Sequence, residues 1–218
     1  MKKLILFSIL MTFVCVSAFS QCDILTVNHV TENGVAPVSA IIAYNVVTDV
    51  PGEPDKCWIT SNLGATHEAA SSHDLTAAGW YFQFGLKQGY DYSTTGRIPA
   101  TTWNYSVKTN SNWLPSNDPC TVELGTGWHV PTLHEWSNVD AGWYSLDYAY
   151  NSPLKLSASG YLYYRTGALM YANKYAMFWS NEQVSVYQNY AYNYMAWAAT
   201  SNTSMFSKSM GMSVRCVK

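Results

Sequence analysis

Apolar and polar residues change rhythm several times along this chain, and each change predicts an element. From Cys22 to Tyr44 short apolar runs are broken by Glu32-Asn33-Gly34, which reads as strands around a turn, with a β-rich run from Val38 to Val47. Pro51-Gly52-Glu53-Pro54 closes that region as a loop, and Trp58 to Leu63 opens the next element. Ala65 to Ala78 is a polar, small-residue connection with room for a short helical piece. Trp80, Phe82 and Phe84 then alternate with Tyr81 and Gln83, the period of two expected of a strand. From Asp91 to Asp118 the pattern dissolves into Thr, Ser, Asn and Pro with scattered aromatics, which predicts a long ordered surface loop.

The rhythm turns helical at Pro131-Thr132-Leu133-His134-Glu135-Trp136. Thr132 with Glu135 three residues later is a capping box, each side chain satisfying a backbone N–H that the first helical turn leaves unpaired. Leu133, Trp136, Val139 and Trp143 share one face, which is expected to be buried, and Gly142 is expected to end the helix. Beyond Ser157 the chain returns to β-prone runs at Tyr161 to Tyr164, Met177 to Ser180, Tyr190 to Ala198 and Ser213 to Val217. In the third of these, residues two apart share a face, so Tyr190, Tyr192 and Tyr194 form one row and Ala191, Asn193, Met195 and Trp197 the other. Met195 and Trp197 suit burial, which would turn the tyrosines outward.

The first twenty residues change the picture from fold to compartment. Lys2 and Lys3, the apolar run Leu4 to Val16, and Ala18-Phe19-Ser20 read as an export signal cleaved before Gln21. The run is too short for a span, and no later stretch approaches the roughly 20 apolar residues that one needs. The mature chain, 21–218, is therefore expected outside the cytoplasm, secreted or at the cell surface, with the periplasm open. Charged residues are 12% of the chain, about half the usual quarter. Acidic residues outnumber Lys and Arg by 14 to 12 before the leader is removed, and no basic stripe is present. That argues against nucleic acid and anionic membrane as partners. Removal of Cys15 with the leader leaves Cys22, Cys57, Cys120 and Cys216, an even set that reads as two disulfides with three possible connectivities.

Seven segments occur in an order that carries a family resemblance. They are Cys57-Trp58-Ile59 with Asn62-Leu63-Gly64-Ala65-Thr66, Gly79 to Gly85, Asn117-Asp118-Pro119-Cys120, Gly127 to Thr132 with Glu135-Trp136, Ser159-Gly160-Tyr161, Phe178-Trp179-Ser180, and Gly211 to Val217. Together they resemble the Fibrobacter succinogenes major paralogous domain of exported bacterial proteins, over essentially the whole mature chain. The helix and the closing strand also resemble the formylglycine-generating-enzyme branch of the C-type-lectin-like fold. The resemblance implies a single α+β domain of short antiparallel sheets, one or two helices and long loops, stapled by disulfides. It further implies the pairings Cys22–Cys57 and Cys120–Cys216. The enzyme branch's reactive cysteine pair has no counterpart here, and neither does the Glu-Pro-Asn or Gln-Pro-Asp triplet with which calcium-dependent lectins hold a sugar. Trp179-Ser180-Asn181 stands where such lectins can carry Trp-Asn-Asp, lacks the aspartate, and reads as core.

Candidate chemistry is thin. His134 and Glu135 are adjacent and face different ways on a helix, with Glu135 explained as a cap. His67-Glu68 with His73-Asp74 is the nearest approach to a ligand cluster, at a spacing that fits no metal motif. No nucleophile elbow, phosphate loop or dinucleotide fingerprint is present, so no catalytic residue, metal or cofactor is expected. The excess lies in aromatics, nine Trp and seventeen Tyr. Trp58, Trp128, Trp136 and Trp179 are assigned to the core. Tyr187, Asn189, Tyr190, Tyr192 and Tyr194 are the nominated ligand contacts, since Tyr offers apolar area with a polar tip. The expected function is an exported, non-catalytic recognition or adhesion module for a glycan or a surface protein. The alternatives are an assembly subunit of a surface layer or appendage that contacts its own copies and, third, a hydrolytic enzyme.

Overall fold

In the computed structural model, which describes residues 22–218, the alternating runs become strands and the capping box starts a helix. The segment expected to be an export signal, with Cys15, and Gln21 after it lie outside the described residues. The chain opens with the antiparallel pair β1 (Leu25–His29) and β2 (Ala40–Tyr44), joined through a 3-10 turn at Thr31–Asn33 that Gly34 closes at φ 76°. A two-stranded ladder follows, β3 (Val46–Val47) with β4 (Trp58–Ile59). The expected short helical piece is a 3-10 turn at Leu75–Ala77, capped by Asp74, whose side chain accepts from the Thr76 N–H.

β5 (Tyr81–Gln83) lies on the alternating aromatic run, but its two faces are both buried, from Trp80 through Phe84. The segment expected to be a loop begins instead with a hairpin, β6 (Gly89–Ser93) and β7 (Gly96–Ile98), turned by Thr94-Thr95. Three helices follow, where one or two were expected: α1 (Pro119–Leu124), α2 (Leu133–Asp140) and α3 (Leu146–Asn151). Asp118 starts α1 by accepting from the Cys120 and Thr121 N–H groups, with Pro119 at the first helical position where its missing N–H costs nothing. In α2 the capping box is formed on both sides, Glu135 N to Thr132 Oγ1 at 3.1 Å and Thr132 N to Glu135 Oε2 at 2.7 Å. The helix ends at Asp140, before Gly142.

The last third builds the main sheet: β8 (Tyr161–Leu162), β9 (Leu169–Met170), β10 (Ala176–Gln183), β11 (Tyr190–Trp197), β12 (Thr200–Ser207) and β13 (Gly211–Ser213). Nine strands join in the order β12-β11-β10-β13-β5-β6-β7, with β8 and β9 attached beside β13. All the pairings are antiparallel except β10 with β13. The architecture is α+β, small sheets with few helices, stapled by Cys22–Cys57 and Cys120–Cys216 as the resemblance implied. No described helix is long and apolar enough to cross a membrane.

The sheet is covered on opposite faces. Ala176, Phe178, Tyr194 and Ala196 pack under α2 and α3 with Trp136, Leu146 and Ala149. Met177, Trp179 and Ala191 pack on the other side with Trp80, Phe82, Phe84 and Met212. Trp58, Trp128, Trp136 and Trp179 are all core, as expected. Arg215 is buried beside this layer and spends its guanidinium on the carbonyls of Ile59 and Leu154 and on Asn62 Oδ1, at 3.1, 2.9 and 2.7 Å. Burial pushes its pKa down to about 9, against the opposing pull of Glu68.

Candidate functional site: an aromatic groove across the sheet

Three clefts with shared lining residues lie around the β10–β12 part of the main sheet. The first, about 480 Å³, lies between the start of α3 and residues 171–175 and is closed by Trp197. Tyr171 and Tyr175 are shared with the second, about 200 Å³, floored by Met177, Met195 and Phe206 with Tyr161 on its wall. Phe206 is shared with the third, about 400 Å³, where Tyr105, Tyr164, Asn189 and Tyr190 converge. Trp197 and Tyr190 stand at the two ends of β11, about 24 Å apart at 3.4 Å per residue and on opposite faces of the strand.

The rings form a connected series. Tyr161 stacks on Tyr171 at 5.8 Å and 22°, Tyr171 meets Tyr175 edge-on at 5.0 Å, and Tyr175 leans on Trp197 at 5.8 Å. Each ring is thereby fixed by its neighbour, so little side-chain freedom is left to lose on binding. Burial, then the neighbouring Tyr171 and Tyr175, push the Tyr161 phenol above its ordinary pKa, which keeps it a neutral donor. At the far end Arg165 donates from Nε to Tyr164 OH at 2.8 Å and lies over that ring at 5.4 Å.

The nominated residues divide. Asn189 and Tyr190 line the third cleft, and Tyr187, 56% exposed, stands beside Tyr190 with ring centroids 6.2 Å apart. Tyr194 does not face solvent: it is fully buried and stacks on Trp136 at 4.9 Å and 14°. Tyr192 is half-buried on the same α2 side of the strand. The expected outward tyrosine row therefore fails at Tyr194, while Met195, partly buried, packs against the core and Trp197 is partly exposed at the first cleft. The reason is tertiary. The helices cover the far end of one face of β11, while the near end of the other face, at Ala191 and Asn193, is covered by the remaining core.

No family model, no curated protein and no solved structure matches the chain. What the groove can do is therefore read from its chemistry alone. Ser72 Oγ lies 3.0 Å from Asp147 Oδ1 and 2.9 Å from His73 Nδ1 at one end. The serine sits between the other two, so the histidine is not held by the carboxylate as a base for that serine would be. Asp147 is the one carboxylate among the described residues lining the three clefts, whereas glycoside hydrolysis uses two. Among the described residues no group of His, Cys, Asp and Glu is arranged to hold a metal ion. Of the loop cluster, His67 pairs with Asp74 at 3.4 Å, while Glu68 is turned to Asn45 and Thr60.

A further cleft, about 650 Å³, lies between β2 and the β5–β6 pair. Trp80 and Tyr81 in its lining are almost inaccessible, and the partly exposed Tyr92 stands among Thr66, Thr76, Asp91 and Ser93.

Glu135 does more than cap. It accepts from His129 Nε2 at 3.1 Å and from Lys56 Nζ at 3.1 Å, away from the groove. Burial raises its carboxyl, but the bonds from His129, the Thr132 N–H and Lys56 outweigh that and hold it at about 2. The Glu135 bond raises His129 above its usual 6.5. The depressed carboxyl contributes stability that is lost as pH falls from about 4.5 toward 2. The raised imidazole contributes stability that is lost as pH climbs from 6.5 through its folded value. Melting temperature against pH should therefore peak between about 4.5 and 6.5 for this pair. Glu135→Gln should flatten both flanks; an unchanged profile would show that the pair carries no linkage.

Proposed function

We propose that the chain is an exported, non-catalytic recognition module of the C-type-lectin-like kind, as its resemblance to the Fibrobacter succinogenes major paralogous domain implies, and that the groove binds a glycan chain. The observation that carries this reading is the series of interlocked rings at Tyr161, Tyr171, Tyr175 and Trp197, each at least partly exposed. A sugar presents an apolar face to such rings and hydroxyls to the amides and phenols around them, here Asn173, Asn189 and Tyr164. Charges stand only toward the ends, Lys174 and Asp147 at one and Arg165 at the other, which favours a neutral polymer. Two disulfides suit an oxidising, extracytoplasmic compartment, in keeping with the leader at residues 1–20.

Affinity electrophoresis of residues 21–218 through gels containing neutral polysaccharides tests it. Retardation by at least one polymer is expected, and Trp197→Ala and Tyr171→Ala should each weaken it about tenfold or more, the scale of a stacked aromatic contact, with little change in melting temperature. Tyr171 is 46% exposed, so its loss should leave the core intact. Unretarded migration in every gel, together with a blank glycan array, would remove the glycan reading and leave a protein ligand.

A further inference from the structure

The two edges of the main sheet are built differently. At one edge β7 has three residues, carries Arg97, and runs directly into Pro99. Short length, charge and proline are the usual means by which an edge strand is kept from pairing with another chain. At the other edge β12 has eight residues, Thr200 to Ser207, with no charge, no proline and an unbroken register against β11 from Tyr190↔Ser207 to Trp197↔Thr200. Every residue of β12 is at least partly exposed, and Met205 is 45% exposed. The cation that follows does not guard the edge either. Lys208 turns inward, its Nζ donating to the Thr109 carbonyl at 2.6 Å and to Gln183 Oε1 at 2.9 Å.

From this contrast we infer that β12 is a pairing edge for a second copy of this chain, joined antiparallel about a twofold axis normal to the sheet. A strand's unpaired N–H and C=O groups are satisfied best by another strand, and β12 is complementary to itself. With Ser204 on the axis, Ser204 meets its own copy, Thr203 faces Met205 and Asn202 faces Phe206; with Thr203 on the axis, Asn202 faces Ser204. Neither register opposes like charges, which would destabilise the pairing. The axis keeps the same face of both sheets on one side. Two grooves, each containing Phe206, then lie side by side, and a long polymer that engages both gains effective concentration without a new contact. The pairing itself does not depend on the groove holding a glycan.

Sedimentation velocity across a concentration series, on residues 21–218 without ligand, is the test. An edge of eight residues with its flanking side chains lies at the small end of stable interfaces, so a dimer dissociating in the micromolar range is expected. Ser204→Lys and Thr203→Lys, which place like charges at the axis, should weaken it at least tenfold while the melting temperature holds. Single Thr203→Cys and Ser204→Cys variants keep the fold question separate: under mild oxidation the one on the axis should link two chains, and an exposed control, Ser185→Cys, should not. A monomer at every concentration overturns the inference. So does a dimer that both lysines leave untouched, or crosslinking equal at all three cysteines.

Discussion

Replacing Cys120 and Cys216 together with alanine is expected to cost about 4.7 kcal/mol, enough to leave the chain largely unfolded at 37 °C. The bridge spans 96 residues, and in the chain-entropy account a loop that long restricts the unfolded ensemble more than a short one does. Cys22–Cys57 spans 35 residues, for which the same account gives about 3.8 kcal/mol. Location widens the difference. Cys120 and Cys216 are fully buried and tie α1 to the closing segment, whereas Cys22 is half-exposed at the first described residue. Denaturant titration of the two double-alanine variants checks the order. If losing Cys22–Cys57 proved the more damaging, the N-terminal hairpin and not the α1 junction would be what the core depends on.

How far the sequence could be read depended on whether each element's cause was local. The capping box at Thr132 and Glu135 is a contact between residues three apart, and it formed as the pattern indicated. Trp58, Trp128, Trp136 and Trp179 sit in segments with strong patterns, and all are core. α1 has a local signal, Asp118-Pro119, but the polar stretch before it reads as loop. The β6–β7 hairpin turns on Thr94-Thr95 without the Asn-Gly or Asp-Gly that marks such turns, and β12 is mostly hydroxyl and amide residues with no apolar alternation. The groove was least legible. Its walls come from residues 73, 105–107, 146–147, 161–177, 189–198 and 206–210, which only the tertiary fold brings together. Tyr190 and Asn189 line one of the clefts, whereas Trp197, a large apolar residue of the kind that defaults to the core, lines another.

Trp136→Ala is expected to cost about 3–5 kcal/mol, the range for emptying a buried Trp site. Trp136 is fully buried and lies at the junction of helix and sheet, against Trp58 at 5.6 Å, Phe178 at 5.8 Å and Tyr194 at 4.9 Å. Its Nε1 also donates to the Trp179 carbonyl at 3.1 Å, so truncation leaves a buried acceptor in β10 short of a partner. Trp136→Phe separates the two contributions: it keeps most of the volume, loses the hydrogen bond, and should cost clearly less than the alanine change. Tyr194→Ser should resemble Trp136→Ala, because the two rings support each other. The combined variant should then lose less than the sum of the singles, as expected for residues in contact. Equilibrium denaturation of the four variants decides it. A Tyr194→Ser protein with an unchanged midpoint would put that ring back at the surface, beside Tyr190 and Tyr192, and would restore the tyrosine row as the contact surface in place of the groove.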